Sequence, residues 1–165
     1  MNRLFILLLI ILTCSCTKQN EKREKTIGME KSEIATPDFD VALRFINSYA
    51  EYCDKLMTKE AVDSNWIYNN KLLTESFKEK YKSIIDSAFA EEPELGLDAD
   101  PIFDAQDYPN KGFEMIATDK NGFVTVRGKD WKEFVVVLKV ISQDGKWLVD
   151  GAGTINIPIA KRAKR

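Results

Sequence analysis

Histidine is absent from all 165 residues. That absence excludes a Ser-His-Asp triad, a Cys-His dyad, a histidine-ligated zinc and a histidine pH switch. Cysteine is scarce: three residues cannot make a four-cysteine zinc site or a disulfide framework. Neither charge dominates, with 24 Lys+Arg against 26 Asp+Glu and a net charge of −2, so no strongly basic field invites nucleic acid. A long hydrophobic run is also missing. Residues 4–12 (LFILLLIIL) are apolar, but that is about half of the ~20 residues a membrane-crossing helix needs. What remains is enough chain for one domain with a real core.

The chain opens Met1-Asn2-Arg3, continues through that apolar run and reaches Thr13-Cys14-Ser15-Cys16. A positive start, a short greasy stretch and small residues before a cut site mark a secretory signal peptide. Its end resembles a bacterial lipobox, in which cleavage precedes a cysteine that receives lipid. Cys16 follows the small Ser15 and is the assigned lipid-bearing residue. Residues 1–15 are then the signal, and Cys53 is left as the free thiol. The next residues, Thr17, Lys18, Gln19 and Asn20, include neither a retention aspartate nor an acidic export cluster. A lipid-anchored protein of the bacterial envelope is expected, on the outer membrane and facing the periplasm. Residues 16–36 are mixed in charge and poor in large apolar groups, which makes them a flexible tether rather than core.

Seven of the eight glycines fall between Gly96 and Gly153, so the first half reads helical and the second half sheet-forming. Thr36-Pro37 is a candidate helix start. The expected buried stripe is Phe39, Ala42, Leu43, Ile46, Ala50, Cys53, Leu56 and Met57. A second helix is expected after Thr74 as cap, burying Phe77, Tyr81, Ile84, Ile85, Ala88 and Phe89. Residues 63–70 between them read as a loop or a short helical turn. Strands are expected over 113–118 and 123–127, joined by the Asn121-Gly122 turn signal. A long strand over 131–142 follows, then a last one from Trp147 towards Ile155 and Ile157. Gly151 and Gly153 point to a bulge or bend there. The fold class is α+β: helices packed on a curved, four-stranded antiparallel sheet. The domain is expected over 37–158, with 159–165 as a basic, frayed tail.

That order of elements resembles the cone-shaped, nuclear-transport-factor-two-like (cystatin-like) fold. The stretch Asp98-Ala99-Asp100-Pro101-Ile102-Phe103-Asp104-Ala105-Gln106-Asp107-Tyr108-Pro109 narrows it. It resembles the Asp-Pro…Ala-Gln-Asp segment of an uncharacterised family of bacterial envelope lipoproteins. Leu72-Leu73-Thr74 and the closing Gly-Lys-Trp-Leu-Val-Asp of residues 145–150 are similar too. The resemblance implies the fold and no particular chemistry.

Residues 38–158 carry 14 basic and 22 acidic side chains. Seven of the acids, Glu91, Glu92, Glu94, Asp98, Asp100, Asp104 and Asp107, crowd into one stretch. Calcium ligation, a solvated loop and a surface for a basic partner are the three readings; EF-hand spacing fails, because Phe103 stands at its glycine position. Asp100, Asp104, Gln106, Asp107 and Tyr108 are the candidate ligand- or partner-binding residues at the mouth of the cone. Enzymes of this fold pair an aspartate with a tyrosine in an apolar cavity, and that chemistry survives the loss of histidine. The competing reading has Gln106 and Asp107 binding loop backbone. Cys53 reads as a buried small hydrophobe, and Trp66, Trp131 and Trp147 as core or rim rather than a sugar platform. No catalytic, metal-ligating or cofactor-binding residue is assigned. The expected role is non-enzymatic binding of a protein partner or small ligand, without nucleic acid. An inhibitor with an acidic surface and a carboxylate–tyrosine isomerase or lyase are the alternatives. The apolar sheet face of Val135, Val137 and Ile141 is a candidate homodimer surface.

Overall fold

The computed structural model describes residues 36–164; the expected signal peptide over residues 1–15, the expected lipid site at Cys16 and residues 17–35 of the expected tether lie outside them. Helix α1 (Asp40–Met57) begins later than the Thr36-Pro37 signal, and the Asp40 N–H donates to the Asp38 carboxylate at 3.1 Å. Its buried stripe is Val41, Ala42, Phe45, Ile46, Tyr49 and Ala50. Ala42, Ile46 and Ala50 of the expected stripe are buried, and Phe39, Leu43 and Cys53 pack partly buried against the core; Val41, Phe45 and Tyr49 widen that face, while Leu56 and Met57 are exposed in the last turn. One turn of helix, α2 (Trp66–Asn69), supplies the buried Ile67. Helix α3 (Glu75–Glu91) starts where expected, with the Thr74 hydroxyl accepting from the Phe77 N–H. Only Phe77 of this helix is fully buried, and Phe89 is exposed.

Four strands, β1 (Phe113–Thr118), β2 (Phe123–Gly128), β3 (Val135–Gln143) and β4 (Lys146–Ala152), form an antiparallel meander in sequence order. Period-two alternation sends Val124, Val126, Val136, Leu138 and Val140 towards the helices. Val135, Val137 and Ile141 stand half-buried on the other face. The third strand is shorter than its apolar run, because Phe134 N–H donates to Trp131 O and folds those residues into a turn. The last strand also ends early. Gly153 (φ +56°) reverses the chain, and Ala152 pairs with Ile155 across the reversal. The expected bulge is present: Lys139 faces Gly151 and Val140 faces Val149, which leaves Asp150 as the extra residue.

The outer edge of β4 is occupied by residues 72–74. Leu73 forms a parallel bridge with Val149, Thr74 N–H donates to Val149 O, and Val149 N–H donates to Leu72 O. The bulge aims the Asp150 carboxylate at the Thr74 hydroxyl, 2.7 Å away. At the opposite edge, Asn47 of α1 clasps the start of β1. Its side-chain oxygen accepts from Phe113 N–H at 2.7 Å, and its amide donates to Phe113 O at 3.3 Å. The space between helices and sheet is filled by Phe45, Phe77, Phe103, Phe113 and Phe134 with aliphatic neighbours.

The basic tail does not fray. Arg162 donates to Ile157 O and Thr154 O, both at 3.1 Å, after a short 3₁₀ turn (Ile159–Lys161). Ile157 is buried outside the main core, next to Gly151, and Lys161 lies over the Phe123 ring. Both charged side chains find partners within the domain, which removes the freedom expected of a terminus.

Candidate functional site

The segment 98–109 enters the protein at Asp100 and leaves it at Tyr108. Residues 100–105 make a closed loop: Asp100 N–H donates to Ala105 O, and Asp104 N–H donates to Asp100 O. Asp104 adopts φ +57°, a left-handed conformation that aspartate tolerates better than most residues. The loop drives Ile102 and Phe103 into the core, at 0% and 1% exposure. Gly153 sits against its backbone so closely that a Cβ would meet Pro101 O and Ile102 O at 2.5 Å each. Thr154 N–H donates to Pro101 O, tying the loop to the reversal after β4.

Asp100 organises this loop with its side chain. One carboxylate oxygen accepts from the N–H groups of Ile102 and Phe103, each at 2.8 Å, and the other accepts from the Tyr49 hydroxyl. Burial raises the Asp100 pKa, against the pull of those three donors. Burial, then the adjacent Asp100 charge, raises the Tyr49 pKa as well, so Tyr49 remains the proton donor of the pair. This is the aspartate–tyrosine pair that the composition allowed. Its atoms are engaged with each other and with loop backbone.

The other candidates divide. Gln106 donates to Asp98 O at 3.1 Å and staples the ends of the segment, as the backbone-binding reading expected of it. Asp107 does not share that role; it is exposed and lines an open hollow. Tyr108 stacks on Phe103, with centroids 4.7 Å apart, and its hydroxyl donates to Asp54 at 2.9 Å. Asp104 is half-buried at the loop tip. The five residues therefore share one segment without converging on one point. Of the remaining acids, Glu91, Glu92, Glu94 and Asp98 are exposed. Among the described residues, no group of three or more acidic or cysteine side chains converges as a metal site would.

Cys53 is half-buried beside this cluster, its thiol pKa pushed up to about 12 by burial and then by the Asp100 charge. A thiol held that high is protonated and unreactive at neutral pH. The tryptophans also divide. Trp66 and Trp147 pack against the core, but Trp131 is 44% exposed and rests on Phe134.

Sequence reasoning counts Tyr49 among the five tyrosines available for aspartate–tyrosine chemistry without singling it out, and it misses Asn47 and the grouping of Trp131, Glu133 and Lys164 beside Asp107. Tyr49 was within reach, since it lies three residues after Ile46 on the buried face. The last grouping joins residues far apart in sequence and leaves no local signal.

No protein-family model matches the chain, and no curated protein matches it. Among solved structures, the chain is similar to a protein of unknown function from Bacteroides thetaiotaomicron VPI-5482. That likeness has 21% identity, covers 68% of this chain and 88% of the other, and has a TM-score of 0.42. It is too loose to carry an argument.

Proposed function

We propose that the chain is a lipid-anchored, periplasm-facing protein whose α+β domain binds a protein partner or small ligand without catalysis. In this reading Cys16 carries the lipid, and the domain belongs with the envelope lipoproteins of cone-shaped fold that its Asp-Pro…Ala-Gln-Asp segment resembles. The observation that supports it is the use made of Asp100. Its part-buried carboxylate is taken up by Tyr49 and two loop N–H groups, whereas a general base must reach a substrate proton. The loop it braces holds Gln106 and Asp107 at the surface, available for contact. The isomerase or lyase alternative draws no support from this geometry.

Two measurements test the reading. Growth with radioactive palmitate should label the wild-type chain and the Cys14→Ala variant but not Cys16→Ala; an unlabelled wild type overturns the anchor. A photoreactive residue placed at 107 should give a discrete cross-linked adduct in intact cells, and one placed at Glu79 on α3 should not. Absence of any adduct from 107 overturns the binding role.

The exposed acids Glu91, Glu92, Glu94, Asp98 and Asp107 favour a second reading, an inhibitor that meets a basic envelope protein. Clustered carboxylates speed encounter with a basic surface, and salt screens that attraction. An adduct whose yield does not change between low and high salt overturns this second reading.

A further inference from the structure

We infer that the hollow between residues 105–107 and the turn before β3 is a binding site for a pyranose sugar, with Trp131 as its stacking surface. The inference rests on the binding-domain reading and names its ligand class. The hollow has a volume of about 440 Å³ and is lined by Ala105, Gln106, Asp107, Trp131, Glu133, Phe134 and Lys164. That falls within the ~300–1,000 Å³ usual for small-ligand sites.

Three observations meet there. Trp131 is the one tryptophan left outside the core, and Phe134 backs its indole with centroids 4.9 Å apart. The electron-rich face of an indole attracts the weakly positive C–H bonds on one face of a sugar ring. Next, Asp107, Glu133 and Lys164 line the same hollow, yet among the described residues none has a hydrogen bond or ion pair. Their hydrogen-bonding capacity is open to a ligand. Finally, Gln106 is fixed by its bond to Asp98 O, which leaves its amide oxygen as an acceptor.

The mixed lining decides the ligand class. A small cation would face Lys164, and a small anion would face two carboxylates. A sugar is neutral, and each hydroxyl both donates and accepts. The carboxylates and the amide oxygen match its donors, the ammonium matches its acceptors, and the indole matches its apolar face.

The test uses the full-length chain in a zwitterionic detergent that has no sugar headgroup. The chain is applied to an array of glucan, mannan, xylan, galactan and chitin oligosaccharides, and any hit is titrated by calorimetry. Saturable binding of at least one oligosaccharide is expected. Trp131→Ala should weaken it by about tenfold, the size expected for a lost stacking partner. Asp107→Asn and Glu133→Gln should weaken it several-fold, and Glu79→Gln on α3 should leave it unchanged. Asp107, Glu133 and Glu79 are exposed, so their variants should keep the wild-type melting temperature. Absence of binding across the array overturns the inference, as does binding indifferent to both Trp131→Ala and Glu133→Gln. L-arginine methyl ester is titrated in parallel; if it alone saturates, the hollow receives a basic side chain and the sugar assignment is overturned. A negative array with the adduct from position 107 intact removes the sugar and leaves the binding-domain reading standing.

Discussion

Asp100 is the acid on which most of segment 98–109 depends. An alanine there would leave two loop N–H groups and the Tyr49 hydroxyl without their acceptor, and each buried orphan costs about 1–3 kcal/mol. Tyr49→Phe removes one hydrogen bond to a charged group, worth about 1.5–3 kcal/mol. Urea melts should therefore place Asp100→Ala well below Tyr49→Phe, and both below wild type; equal stabilities would detach the carboxylate from the loop. Asp100→Asn isolates the charge. Because burial raises the Asp100 pKa in the folded chain, the folded state holds its proton more tightly than the unfolded state. That contribution is complete below the ordinary aspartate range and is lost as pH rises through the raised value. Across that window wild type should lose stability relative to Asp100→Asn, and parallel pH profiles for the two would contradict the assignment. Cys53 gives a second test at this scale. In a chain with Cys14 and Cys16 replaced by serine, a thiol held near pKa 12 should react slowly with iodoacetamide at pH 7.5 and rapidly once urea unfolds the domain.

Two joints between elements each rest on a single polar residue. Thr74 caps α3 and also donates to Asp150 on the bulge of β4. Thr74→Ala should therefore cost more than the ~1 kcal/mol of an isolated cap, and Thr74→Ser should recover most of the loss; the comparison is made by urea midpoints. Asn47 does the same between α1 and β1, with Gly112 (φ +70°) making room, since a Cβ there would meet the Asn47 side-chain oxygen at 2.4 Å. These joints explain what was legible in the sequence. The cap at Thr74, the turn at Asn121-Gly122, strand β1 and the bulge near Gly151 all rest on local chemistry, and each lies where the residues imply. The buried face of α1 is wider than its local pattern implies, because Phe45 and Tyr49 find partners in Trp66, Phe77 and Phe103, far along the chain. The run 131–142 carries strand-like composition throughout, but its first residues close a turn by a backbone hydrogen bond that side-chain pattern does not encode. Within the candidate site, the role of Gln106 was legible as loop chemistry. The partnership of Asp100 with Tyr49 was not, because it spans 51 residues.

At the scale of the whole molecule, the last residues resist the expectation of a loose basic end. Composition alone makes residues 160–165 a solubilising tail, with Lys161, Arg162, Lys164 and Arg165 free to meet anionic lipid. Among the described residues, the fold commits Lys161 and Arg162. Arg162 holds the carbonyls of Ile157 and Thr154, the residues that follow the reversal at Gly153, and that reversal is packed on the loop braced by Asp100. Lys161 reaches Asp119 at 3.5 Å and sits over Phe123, on the turn side of β2. The tail thus connects the closing hairpin to the first turn of the sheet, and Arg162 contributes two charge-assisted hydrogen bonds to carbonyls. Arg162→Ala should lower stability by about 1–3 kcal/mol. Lys161→Ala removes an exposed ion pair and should change little, and Lys164→Ala should leave stability unchanged while altering the hollow beside Trp131. Urea midpoints for the three variants separate the readings. A frayed tail predicts no loss in any of them, whereas a docked tail predicts loss concentrated at Arg162. Should Arg162→Ala match wild type, the tail is free, and Lys164 loses the anchor that holds it beside Asp107 and Glu133.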